Sequence, residues 1–192
     1  KTVLAIYSYE NFPEKLFSKY YSSYEWESFE LIVIDFIRNI PKNISLPKFG
    51  CIGVAGAVLE GNIKITNLGW DIDTQRICSI SKINNLELIN DFSVLIYGIP
   101  FFIKNQYEVI QGELSSSNKK QQQTIAIIGA GTGLGISRGL ITSKGIFVLP
   151  SEGGHREFSP RTDDEWELVK WLKKYLNLKR VSIEKIVSGT GL

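Results

Sequence analysis

T-I-A-I-I-G-A-G-T-G-L-G-I-S-R-G-L-I-T, residues 124–142, and L-P-S-E-G-G-H-R-E-F-S-P, residues 149–160, decide how this chain is read. The first stretch is apolar from Ile125 to Ile128 and then carries Gly129, Gly131, Gly133 and Gly135 at alternate positions. Glycine lets backbone approach a ligand closely, so such a run suits a loop whose N–H groups wrap a phosphate. The residues after the glycines (Ile136, Ser137, Leu140, Ile141, Thr142) read as a second strand and not as a helix. A dinucleotide fingerprint is excluded, because it needs G-x-G-x-x-G opening a helix and Leu134 stands at the last glycine. A Walker loop is excluded too, for want of a Gly-Lys-Ser/Thr ending. What remains is a glycine-rich β-hairpin, either with its tip aimed at a phosphate or with no ligand.

The second stretch places a carboxylate, Glu152, three residues before the only histidine of the chain, His155. A carboxylate accepts hydrogen bonds from hydroxyls, while imidazole can donate one and accept another. The pair therefore suits adjacent hydroxyls of a sugar. A turn with a surface Glu and a packed His fits the same residues.

The bulk properties narrow the field. The 192 residues are 43% hydrophobic and 22% charged, ordinary for a globular protein able to bury one good core or two small ones. A net charge of +2 argues for neither nucleic acid nor an anionic membrane as partner. Lys170, Lys173, Lys174, Lys179 and Arg180 cluster, but on an expected amphipathic helix and its exit, where a solvated face accounts for them. Cys51 and Cys78 show no metal spacing and read as reduced thiols of a cytosolic protein. No apolar run approaches the length of a membrane span. The chain has no methionine, starts K-T-V-L-A-I within a strand pattern and ends S-G-T-G-L, so a fragment is expected.

Along the chain, residues 2–8 read as a strand and Leu31–Ile37 as a helix packed on a sheet. Gly50–Val58 reads as a buried strand, Lys64–Trp70 as a shorter strand running into a turn, and 72–83 as containing a short helix. Leu86–Ile89 is a strand that ends at Asn90-Asp91, and Phe92–Tyr97 continues as a helix stopped by Gly98 and Pro100. An Asp at such a junction is most often an N-cap. The carboxyl ends of strands are also where α/β folds place their ligands. Residues 115–123 (S-S-S-N-K-K-Q-Q-Q) read as a surface loop or linker. Thr162 and Glu165 form a capping box. It opens a helix expected to bury a stripe of Trp166, Val169, Leu172 and Leu176 against the sheet, with Leu168, Trp171 and Tyr175 beside it. A second helix is expected near Ser182, with Ile183, Ile186 and Val187 inside and Glu184 on its other face.

Four stretches taken in order resemble the bacterial glucokinases of the actin-like sugar kinase superfamily. They are G-V-A-G-A-V and I-T-N-L-G-W within 53–70, L-I-N-D-F (88–92), the G-A-G-T-G-L-G and L-P-S-E-G-G-H pair (129–155), and E-K-I-V-S-G-T-G-L (184–192). The resemblance implies an α/β, actin-like (ribonuclease H-like) ATPase and sugar kinase fold of two domains. Residues 1–101 would be the small domain, lacking its N-terminal phosphate loop, and 102–192 the first part of the large one. It implies Asp91 as the general base that takes the proton from the sugar 6-hydroxyl, and Asn90, Glu152, His155 and Glu184 as further sugar contacts. Gly131 and Thr132 would belong to the second phosphate loop. The implied reaction is ATP-dependent phosphorylation of glucose at O6, with Mg²⁺ carried on ATP, in a cytosolic homodimer; the fragment alone would be inactive. Zinc-binding relatives carry a cysteine cluster after the histidine motif, and none follows His155. A sugar-sensing regulator and a kinase for mannose or an N-acetylhexosamine are the alternatives.

Overall fold

The alternation in T-V-L-A-I-Y-S-Y makes Thr2–Tyr9 a strand, β1, and P-E-K-L-F-S-K-Y-Y makes Pro13–Tyr21 its partner, β2. The computed structural model describes residues 1–192 apart from 10–11, 57, 59–60, 66, 113–121, 190 and 192. The strands β1 and β2 pair antiparallel from Thr2↔Tyr21 to Tyr9↔Pro13, with an irregularity between Ile6 and Tyr7. The sequence reading did not anticipate β2. Helix α1, Phe29–Arg38, starts where the Ser28 hydroxyl accepts from the Leu31 N–H, and it buries Phe29, Ile32, Val33 and Phe36.

The expected strand at 50–58 is shorter: β3 spans Phe49–Val54. It is not buried on both faces either, since Phe49 is 70% exposed and Cys51 is exposed. Lys64–Trp70 is not one strand. The chain forms β4 (Asn62–Ile65), turns, and returns as β5 (Trp70–Asp73) in an antiparallel pair. Gly69 sits in that turn at φ +69°, a conformation that glycine adopts without strain. Helix α2, Thr74–Ser81, is capped by Asp73, whose Oδ1 accepts from the N–H groups of Gln75 and Arg76. It ends at Lys82, φ +60°. The chain then enters β6, Asn85–Asn90, parallel to β3. A parallel pair needs a crossover, and the β4–β5 hairpin with α2 supplies it. Ile6, Phe29, Ile32, Phe36, Ile63, Trp70, Ile72, Ile77 and Leu88 make one core. The indole N–H of Trp70 donates to the Trp26 carbonyl at 3.1 Å.

Contacts divide the chain into two compact units, Lys1–Asp91 and Phe92–Leu192. The second carries most of helix α3, Asp91–Gly98, and a three-stranded antiparallel meander: β7 (Gln123–Ala130), β8 (Leu134–Thr142) and β9 (Gly145–Ser151). The hairpin expected from the glycines is β7–β8, in register from Gln123↔Ile141 to Ala130↔Leu134. Most of the expected linker at 115–123 lies outside the described residues.

After a 3-10 turn at Gly153–His155 come α4, Asp163–Tyr175, and α5, Glu184–Val187. The Thr162 hydroxyl accepts from the Glu165 N–H at 3.3 Å, while the Glu165 carboxylate accepts from the N–H of Arg161, one residue before the cap. Only Val169 and Leu172 of the expected stripe are buried, and they pack with Val181, Phe158 and Ile186. Trp166 and Leu176 are exposed, as are Trp171 and Tyr175, whose rings stack at 4.7 Å. Val187 is exposed as well, where the sequence reading put it inside. Among the described residues no helix is long and apolar enough to cross a membrane.

Candidate active site

The residues singled out in the sequence fall into two groups, one in each compact unit. In the first unit β6 ends at Asn90, and Asp91 is the first residue of α3, so both stand at the carboxyl end of a parallel strand. The Asn90 side-chain amide donates to the Gly56 carbonyl at 3.2 Å, which ties this end of β6 to the loop after β3.

In the second unit Glu152, His155 and Glu184 come together. His155 Nδ1 lies 3.1 Å from Glu184 Oε1, and its Nε2 lies 3.6 Å from Glu152 Oε2. An imidazole facing a carboxylate oxygen at 3.1 Å carries its proton on that nitrogen. In the neutral ring Nε2 is then left to accept a hydrogen bond. The Ser182 hydroxyl also donates to Glu184 Oε1, at 3.5 Å. The Glu184 side chain is only 16% exposed, against about 60% for its two neighbours in the array. It was expected on the outer face of its helix, and instead it turns toward His155.

The loop that brings His155 here depends on a glycine. A Cβ at Gly154 would overlap the Leu134 carbonyl oxygen, so the E-G-G-H turn lies against the start of β8 as only glycine permits. The His155 N–H closes the turn by donating to the Glu152 carbonyl at 3.0 Å.

The hairpin tip meets the same array. The Gly131 N–H donates to the Gly133 carbonyl at 2.9 Å across the turn, and the Gly189 N–H donates to the Gly131 carbonyl at 2.7 Å. Gly189 is thus bonded to the hairpin tip. A Cβ at Gly133 would sit 3.0 Å from Glu184 Oε2. Among the described residues no heavy atom lies within 4 Å of where a Cβ on Gly131 would be. Carboxylates able to accept from hydroxyls and the glycine tip of the hairpin therefore adjoin one another. Gly133 was read from the sequence as one of the alternating glycines, but neither it nor Gly189 was assigned to the site. The pairing of Gly189 with a residue 58 positions earlier has no local signal.

A family model described as glucokinase matches residues 1–192, the whole chain. The chain belongs to the glucokinase family. Glucokinase of Nostoc sp. is 36% identical over 198 residues, which cover all of this chain and 55% of that protein. Glucokinase of Synechocystis sp. is 35% identical over 185 residues, covering 94% and 51%. The chain thus spans about half the length of the curated glucokinases it matches. Among solved structures, the glucokinase from an Antarctic psychrotroph aligns with a TM-score of 0.76 at 29% identity, over 94% of this chain and 54% of that one. The Balamuthia mandrillaris glucokinase, solved in complex with glucose, aligns at 0.64 with 23% identity over 85% and 49%, a likeness of fold. The expected α/β, actin-like sugar kinase fold is the fold of this glucokinase-family chain.

Proposed function

We propose that the whole protein transfers the γ-phosphoryl group of ATP to the 6-hydroxyl of glucose. The observation that carries this is the contiguous array of Glu152, His155 and Glu184 beside the glycine tip of β7–β8, within a glucokinase-family chain. In the proposed reaction Asp91 accepts the proton of O6 as that oxygen attacks the γ-phosphorus. The O6–P bond forms, the bond from phosphorus to the β-γ bridging oxygen breaks, and ADP departs. Phosphoryl transfer asks for positioning and charge neutralisation more than for covalent help, so one oriented carboxylate and backbone donors suffice from the protein side. An ionised Asp within reach of the hydroxyl is a competent base.

Asn90, Glu152, His155 and Glu184 are proposed to hold the sugar hydroxyls. A sugar lacking one of them would leave a polar group unpaired, at roughly 1–3 kcal/mol. The hairpin tip at Gly131 and Thr132 is proposed to lie against the phosphates of ATP, and a glycine at 131, with no described atom within 4 Å of a Cβ there, lets a ligand approach closely. Mg²⁺, when it arrives on the nucleotide, neutralises phosphate charge. No group of three or more His, Cys, Asp or Glu among the described residues is arranged to hold a metal ion, so none is assigned to it. We read residues 1–101 as belonging to the smaller of two domains and 102–192 to the larger, in a cytosolic homodimer.

The test is Asp91→Asn in the whole protein, followed by ADP release and by calorimetric titration with glucose. Turnover should fall to background while glucose affinity stays within a few-fold. A variant that keeps turnover would remove Asp91 from the role of base.

A further inference from the structure

Helix α3 lies on a strip of the β7–β8 hairpin from which side chains are missing. Gly129 and Gly135 are partners across the hairpin, three residues to either side of Thr132. A Cβ at Gly129 would come 2.7 Å from two ring carbons of Phe92, and one at Gly135 would overlap the ring outright. Further along β8, a Cβ at Gly139 would come 2.6 Å from Ile96, one helical turn beyond Phe92. Between these contacts the hydroxyls of Ser93 and Ser137, both buried, lie 3.4 Å apart.

Backbone conformation does not explain these glycines. Gly129, Gly135 and Gly139 are absent from the glycines at positive φ, and all three lie inside strands, where glycine is ordinarily a weakness. What requires them is the close approach of a helix. The first ring they receive belongs to Phe92, bonded directly to Asp91, and Asp91 opens the same helix.

We infer that Gly129 and Gly135 are positioning residues: they form a floor for the Phe92 ring, and through it they set the height and rotation of the first turn of α3 and hence of the Asp91 carboxylate. This rests on the proposed role of Asp91 as base. It gives the outer pair of the alternating glycines a task distinct from that of the inner pair, Gly131 and Gly133, at the tip. Displacing a reacting group by about 1 Å can cost on the order of 10²-fold in rate. A group acting in the transition state shows its displacement in kcat more than in KM.

The experiment is a double-mutant cycle in the whole protein, with kcat, KM for glucose and thermal midpoint measured for each variant. Gly135→Ala should lower kcat by on the order of 10²-fold with KM within a few-fold. Phe92→Leu alone should cost about tenfold in kcat, and adding Gly135→Ala to it should cost nothing more, because the ring that the methyl would strike is gone. Gly139→Ala, which crowds Ile96 in the next turn, should lower the thermal midpoint without a comparable loss of kcat. The inference is overturned if Gly135→Ala keeps kcat within about threefold, if the two changes multiply in the cycle, or if Gly139→Ala lowers kcat as much at the same loss of midpoint. Should Gly135→Ala fail to fold, Phe92→Leu decides alone, and wild-type kcat in it overturns the inference. A wild-type protein that releases no ADP with any hexose overturns the proposed function first, and this inference with it. Loss confined to the variants is evidence on the glycines alone.

Discussion

Glu184 accepts from both His155 and Ser182 through one oxygen, Oε1, and its other oxygen lies beside Gly133 at the hairpin tip. A carboxylate so enclosed is held in one orientation before any sugar arrives. Glu184→Gln keeps the shape but replaces an acceptor with an N–H donor on one side. The account predicts a KM for glucose raised roughly tenfold, as expected when a hydrogen bond worth about 1–3 kcal/mol is lost, with kcat changed less. Steady-state kinetics on the whole protein checks this, and an unchanged KM would remove Glu184 from the sugar site. Glu152 and His155 were legible as a pair because they lie three residues apart with glycines between. The partnership of His155 with Glu184 was not derivable locally, since 29 residues separate them; only the family resemblance pointed to it. The seat of Phe92 on Gly129 and Gly135 left one faint trace in the sequence, the symmetry of those glycines about Thr132.

At the level of elements, the segments with one clear period were read correctly. Helices α1, α2 and α3, strands β1 and β6, and the β7–β8 hairpin fall where the patterns put them. Two of the strands that were missed, β9 and β5, had a confusing neighbour or composition. In β9 the apolar run I-F-V-L is followed by Pro150, which reads as loop; β9 is an edge strand among the described strands of its sheet, where proline is tolerated. In β5 the run from Lys64 to Trp70 looked like one strand because the turn residues between, Asn67 to Gly69, are few. For α4 the amphipathic pattern was right and its depth was wrong, since periodicity says which side of a helix is apolar and not how much partner surface meets it.

One inter-element tie has a pH signature. Asp35 of α1 accepts from Lys19 Nζ at 2.7 Å and from the Tyr21 hydroxyl at 2.9 Å, both on β2. Lys19 first, then Tyr21, hold its carboxyl below the ordinary value of 3.8. The unfolded chain therefore takes up this proton before the folded one does. The stabilisation is present above about pH 4 and fades as the pH falls through the lower folded value. Asp35→Asn should accordingly lower the thermal midpoint at neutral pH, and the gap from wild type should close in acid. A gap independent of pH would mean that the charge contributes nothing. Burial, with Asp35 beside it, pushes the Tyr21 hydroxyl upward, so it stays protonated as the donor over this range.

For the molecule as a whole, the family is shown by a match over every residue, and the curated glucokinases it matches are about twice this length. The chain holds the β6–α3 junction and the Glu152–His155–Glu184 array. Produced by itself, the 192-residue chain should release no ADP with glucose above background in a coupled assay, and turnover by it would mean that its own residues suffice. The proposed phosphoryl transfer is measured on the whole protein. ADP release is followed with Mg²⁺-ATP and a panel of glucose, mannose, fructose and N-acetylglucosamine, and the product is identified by ³¹P NMR. The account predicts turnover that depends on glucose, is much weaker with the other sugars, and gives the 6-phosphate. Sugar binding with no ADP release would contradict it and leave a sugar-sensing protein built on the same fold.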